Sequence, residues 1–153
     1  MGILGIDVGA RRVGIAVCNP EQTMALPAGF LEVGSPQEAA RKLAARFREE
    51  EAHEAVVGLP YRMDGSEGPA VRKVRELLAM LEPLLPWKVE FHLWDERLTS
   101  FDAGGLLVQA GLKHSGRKKR GRVDAMAACL ILQGWLDDNR PTTATKLGSR
   151  GLL

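Results

Sequence analysis

The chain has 153 residues, 45% of them hydrophobic and 26% charged, which suits one soluble domain with a sizeable core. No run approaches the roughly 18 apolar residues of a membrane span, and no basic region leads into an apolar N-terminal segment, so neither a membrane partner nor a signal peptide is expected. Cys18 and Cys129 match no metal or redox spacing, which predicts reduced, buried thiols in a cytoplasmic protein.

The net charge is only +2, but its distribution is uneven. Between Asp102 and Asp124 there is no acidic residue, whereas Lys113, Arg117, Lys118, Lys119, Arg120 and Arg122 gather there. Such a block beside an otherwise balanced chain points to a polyanionic partner.

In chain order, Met1 to Gly9 is a short apolar run with one carboxylate, Asp7, set into it. It reads as a strand buried on both faces. A lone ionised carboxylate there costs several kcal/mol unless a cation compensates it. Ala10-Arg11-Arg12 is a tight connection to a second strand, Val13 to Cys18, antiparallel to the first; Asn19-Pro20 ends it. Ala25 to Val33 is a third strand candidate. Ser35-Pro36-Gln37-Glu38 opens a helix, with Ser35 as cap, Pro36 in the first position and Glu38 closing a capping box. This helix runs to about residue 50 with Ala39, Ala40, Leu43, Ala44 and Phe47 on one face. Glu54 to Leu59 is a buried strand, parallel to an earlier one through the helical crossover.

A loop from Pro60 to Gly68 leads to a second helix from about Pro69, with Val71, Val74, Leu77, Leu78 and Leu81 inward and Pro83 and Pro86 as its stop. Lys88 to Trp94 is the fifth strand, Val89, Phe91 and Leu93 alternating with Glu90 and His92. A helix from about Ser100 to Ala110 follows, weakened by Gly104-Gly105. A basic loop then precedes a strong helix from about Arg122 to Asp138. Residues 139–153 read as a mobile tail behind a single domain over 1–138.

Three acids stand where apolar or neutral residues are expected: Asp7, Glu96 directly after the fifth strand, and Asp124. Helical counting places Asp124 on one face with Ala128, Ile131 and Trp135, so it points toward the sheet. Asp124 could also complement a helix dipole, and Glu96 could pair with Arg97 or Arg11 on the surface. Together with Asp7, however, they form a set able to converge. Converging carboxylates raise each other's pKa unless a cation lies between them, and Mg²⁺ or Mn²⁺ suits oxygen ligands. Two such ions about 3.5–4 Å apart serve in-line phosphoryl displacement. The basic loop would hold a phosphate backbone without reading bases. No histidine has ligand spacing, and Trp87 and Trp94 read as core or interface residues.

Four segments carry a family resemblance: Ile6-Asp7-Val8-Gly9-Ala10-Arg11-Arg12-Val13-Gly14-Ile15-Ala16; Gly58-Leu59-Pro60 with Met63-Asp64-Gly65-Ser66; Asp95-Glu96-Arg97-Leu98-Thr99-Ser100; and Val123-Asp124-Ala125-Met126-Ala127-Ala128. In this order they resemble the YqgF family. The resemblance implies an α/β, ribonuclease H-like fold, a mixed five-stranded sheet with the first strand central and helices on both faces. It implies a nuclease, described as Holliday junction resolvase-like and as an enzyme processing the 5′ end of pre-16S rRNA. The family's acidic triad falls on Asp7, Glu96 and Asp124, as catalytic residues and metal ligands. Asp95 is adjacent to Glu96, and a one-residue slip would exchange which side chain faces the site.

Arg11, Arg97, Lys118, Lys119 and Arg120 are the candidate nucleic-acid contacts, with Gly9 and the Arg62-Met63-Asp64 loop bordering the site. The expected partner is precursor rRNA or branched DNA, with ribosomal particles as a further partner. A junction resolvase would favour a symmetric homodimer, whereas an rRNA trimmer would not require one, which leaves monomer and homodimer both open. Two other readings remain. Asp7-Val8-Gly9 before a hairpin also resembles the phosphate loop of actin and sugar-kinase-type ATPases, which need two such domains where this chain has the length of one. The other is a non-catalytic nucleic-acid-binding factor.

Overall fold

A computed structural model describes residues 2–98 and 117–139. The strands are β1 (Gly2–Val8), β2 (Arg12–Cys18), β3 (Ala25–Glu32), β4 (Ala52–Leu59) and β5 (Glu90–Asp95); the helices are α1 (Pro36–Glu49), α2 (Pro69–Leu81) and α3 (Arg117–Asn139). They form one five-stranded sheet in the order β3-β2-β1-β4-β5. β1 is central, antiparallel to β2 and parallel to β4.

Alternation along β1 divides the core. Leu4 and Ile6 face α1 and α2 in a layer with Leu43, Phe47, Val57 and Leu77. Ile3 faces the opposite layer, with Ala16, Val56, Ala128, Ile131, Leu132 and Trp135 beneath α3. Each fully buried Leu or Ile contributes about 1.5–3 kcal/mol, so apolar residues on both faces suffice to make β1 the spine of the sheet.

α1 begins where the sequence predicts: the Ser35 side chain accepts the Glu38 backbone N–H at 3.1 Å. The Glu38 carboxylate reaches the Gly34 N–H and Lys42, one residue beyond the reciprocal capping-box partner. Ser35→Ala is expected to lower stability by about 1 kcal/mol, read as a lower urea midpoint with unchanged slope.

Several boundaries differ from expectation. α2 does end at Leu81, ahead of Pro83, but the chain winds on through a 3-10 turn, Glu82–Leu84, that contains the proline; the first turn of a 3-10 segment tolerates a missing N–H. Leu93 is 42% exposed, because β5 is an edge strand with a neighbour on one side only. The segment expected as a basic loop is, from Arg117 onward, the opening of α3, consistent with the good helix propensity of Lys and Arg. The expected helix over 100–110, Lys113 and residues 140–153 lie outside the described residues, as do the side chains of Lys118, Lys119 and Arg120. Cys18 and Cys129 are both half-buried. Among the described residues no helix is long and apolar enough to cross a membrane.

Candidate active site

The site is assembled on the α3 face of the sheet. Asp7 stands near the C-terminal end of β1, opposite Gly14 of β2. Since Gly5 pairs with Ala16, and Ala16 lies in the α3 core layer, Asp7 shares that face two residues on. Gly14 lets α3 settle directly on the sheet: a Cβ there would run into the carbonyl group of Asp124. The missing side chain brings Asp124 down onto the strand beside Asp7.

The choice between Asp95 and Glu96 is made by strand register. Asp95 pairs with Leu59 of β4, which belongs to the α1/α2 core, so Asp95 projects to that side. There it is held by Arg97, whose Nη2–H donates to its Oδ2 at 2.6 Å. The guanidinium keeps the Asp95 carboxyl below the usual carboxylate range. Glu96, opening the 3-10 turn Glu96–Leu98, lies over Gly58 of β4: a Cβ at Gly58 would stand 2.5 Å from its Oε1. Glu96 and Asp124 therefore flank Asp7 from either side.

Asp7 and Glu96 share a side-chain hydrogen bond, and Asp7 is pushed up to about 7 by burial first, then by the charge and hydrogen bond of Glu96 and the charge of Asp124. Glu96 is raised by burial, against the hydrogen bond from Asp7 that favours its charged form. Both directions fit a protonated Asp7 donating to an ionised Glu96. Burial also raises Asp124, opposed by Arg12, whose Nε–H donates to its Oδ2 at 2.8 Å. The surface pairing of Glu96 with Arg97 or Arg11 does not form: Arg97 is taken by Asp95, and Glu96 by Asp7.

Three half-buried carboxylates, two of them hydrogen-bonded across a proton, form a donor set short of positive charge. Its all-oxygen chemistry fits a hard divalent cation. Asp7, Glu96 and Asp124 are the residues that would hold one.

The candidate phosphate contacts are dispersed. Arg11 is exposed in the β1–β2 turn, where its carbonyl accepts the Val33 N–H. Arg97 lies 5.7 Å from the Tyr61 ring centroid and 3.5 Å from the Met63 carbonyl, tying the loop after β4 to the site's edge. That loop turns on Gly65, with φ +89°, and on Asp64, which accepts the Ser66 N–H and hydroxyl. Trp94 packs against the α3 core layer, and the Trp87 indole N–H donates to the Ala52 carbonyl at 2.7 Å.

Two features of the site are not apparent from the sequence. Arg12 holds Asp124 across 112 positions; the available signal is parity, because Arg12 lies two residues before Gly14 on the same strand face. His92 has no ligand spacing along the chain, yet its Nε2 lies 3.0 Å from Glu54, and with Glu90 the three place ligand atoms within 4.8 Å of one another. The pairing of β4 with β5 sets Glu54 opposite Glu90, and His92 stacks on Trp135 at 4.5 Å. This group lies toward the opposite strand ends from the triad.

Residues 1–138 match the family model described as RuvX, Holliday junction resolvase. A relative from Anaeromyxobacter sp. (strain K), named "Putative pre-16S rRNA nuclease", is 43% identical over 141 residues, covering 92% of this chain and all of the relative. In structure the chain is similar to Thermus thermophilus RuvC solved with a Holliday junction substrate, at TM-score 0.54 and 16% identity over 93% of this chain and 97% of that one. It is also similar to the Fowlpox virus resolvase in complex with junction DNA, at TM-score 0.55 and 8% identity over 90% and 98%. At such identities the likeness speaks for the fold, which is ribonuclease H-like.

Proposed function

The chain belongs to the RuvX/YqgF family and is a nuclease, and we propose that it is a divalent-metal-dependent one, acting on structured nucleic acid in 5′-end processing of pre-16S rRNA. The observation that carries this reading is the hydrogen-bonded Asp7–Glu96 pair with the charge of Asp124 beside it. Mg²⁺ or Mn²⁺ bound there, as one ion or two, would supply an activated water and charge stabilisation at the leaving oxygen. The chain's own part is to hold Asp7 rigidly on the central strand, to aim Glu96 across Gly58, and to keep Asp124 pressed to β2 beside it. Ala128, Ile131 and Leu132 pack in the α3 core layer on the same face of the sheet. Residues 1–138 would form the nuclease domain and 139–153 a tail, in a cytoplasmic protein whose two cysteines have no metal or redox spacing, which suits a reducing compartment.

The basic opening of α3 would track the phosphate backbone. Replacing Lys118, Lys119 and Arg120 by Ala is expected to weaken binding about equally for unrelated sequences. The salt slope should fall by roughly one unit for each phosphate that is no longer neutralised. An unchanged slope in fluorescence titrations contradicts that assignment.

The family model's description favours branched DNA as a second reading. The deciding experiment is a side-by-side assay on a 5′-labelled pre-16S rRNA fragment and a four-way DNA junction. Preferential trimming of the rRNA supports the proposal, and preferential junction cleavage replaces it. Binding of either without cleavage, in wild type and Asp7→Asn alike, leaves a non-catalytic factor.

A further inference from the structure

We propose that Arg12 is a two-sided residue of this site, holding Asp124 with one edge of its guanidinium and gripping a backbone phosphate of the nucleic acid with the other. The inference rests on the nuclease reading for the identity of the ligand, but its geometry is independent of any bound ion. The bond to Asp124 uses Nε, at 2.8 Å. Among the described residues no hydrogen bond is formed by Nη1 or Nη2. A guanidinium is a planar fork of five donors that stays charged at every accessible pH, so one acceptor on Nε leaves a second edge for a bidentate partner.

That second edge meets a groove. Arg12 lines an open depression beside the β1–β2 turn, with Ala10, Arg11, Phe30, Val33 and Gly34. Glu32, Glu38 and Lys42 line it as well; Glu38 and Lys42 are paired with one another at 2.9 Å, and the Lys42 ammonium also donates to the Glu32 carbonyl at 2.6 Å. Glu32 stands opposite Arg12 in the β2–β3 register and has a partner of its own. Arg11 lies exposed on the rim. Two adjacent arginines thus line the groove, Arg12 half-buried with a side-chain exposure of 24%. A half-buried guanidinium facing both a carboxylate and an open trough suits a phosphodiester oxygen, because a charge-assisted, bidentate contact is favoured where water is partly excluded.

A strand gripped there would meet the same guanidinium that holds Asp124. Arg12 thereby couples the path of the substrate to the placement of the third acid. It does so through position, and it transfers no proton.

The test is equilibrium binding of a fluorescein-labelled RNA hairpin in EDTA across a salt series, with circular dichroism melts of each variant as a control for folding. Arg12→Ala is expected to weaken binding about tenfold and to reduce the salt slope by about one. Arg12→Lys restores the slope because the charge returns. Asp124→Asn, which leaves the Arg12 charge in place, keeps the wild-type slope. A wild-type slope in folded Arg12→Ala overturns the proposal and leaves Arg12 as a counter-ion for Asp124. Loss of the slope in Asp124→Asn as well overturns it too, since the defect would then be one of packing. A wild-type protein that cleaves neither RNA nor junction DNA once Mg²⁺ is supplied, with the slope in EDTA still reduced only in Arg12→Ala, refutes the nuclease reading while the phosphate contact stands.

Discussion

Asp7→Asn is expected to abolish cleavage while making the ion-free protein more stable above about pH 7. The stability effect follows from the sign of the shift. Asp7 has an ordinary value of 3.8 and is pushed up to about 7 in the folded chain, so the fold binds its proton more tightly than the unfolded chain does. That contribution is fully present below about pH 4 and is lost as the pH rises through about 7, when the buried carboxylate must ionise beside Glu96 and Asp124. Asn cannot ionise and keeps a donor for Glu96. The gain over wild type in EDTA at alkaline pH is of the order of 2–4 kcal/mol, a rise of several degrees in melting temperature.

Adding Mn²⁺ should reverse the order. An ion that binds only the folded state raises the wild-type melting temperature by mass action, and Asp7→Asn would lack one of the three proposed ligands. Cleavage in the variant should fall by at least about a hundredfold, the scale seen when one group that stabilises developing charge is removed. A melting temperature that falls in the variant at all pH values would contradict the assignment of Asp7 as a strained acid.

Gly14→Ala is expected to be among the most damaging single-methyl changes in the molecule. The added Cβ would run into the carbonyl group of Asp124 and stand 3.0 Å from the Ala125 nitrogen. These are backbone atoms of a packed helix and cannot swing away as a side-chain tip can, so α3 must lift from β2. The cost should be about 3 kcal/mol, read from urea denaturation, with cleavage lost even where the protein remains folded because Asp124 moves with its helix. Gly34→Ala is the control. A Cβ there meets only the Glu38 Oε2 at 3.7 Å, and its stability should stay within about 0.5 kcal/mol of wild type. Equal effects at the two positions would refute the close-packing account.

Much of the fold is legible in the sequence because its signals are local. The apolar run with Asp7, the Ser35-Pro36 opening of α1 and the 3.6-residue period of α2 each sit within a few neighbouring residues. The sheet order follows from one crossover and one hairpin. Features that depend on register are harder to read. Nothing near Asp95 and Glu96 says which of them faces Asp7; only the pairing of Asp95 with Leu59 does. The Arg12–Asp124 ion pair joins a strand to a helix 112 positions away, and the Glu54–Glu90–His92 group arises only when β4 and β5 are laid side by side. The start of α3 escapes a reading by charge, because a cluster of cations looks like a solvated loop, whereas Lys and Arg also continue a helix well.

The most direct test of the central claim is cleavage of 5′-labelled pre-16S rRNA by protein stripped with EDTA, before and after Mg²⁺ is returned. A site built on Asp7, Glu96 and Asp124 predicts no cleavage in EDTA and full recovery on adding the ion. Undiminished cleavage in EDTA would contradict it.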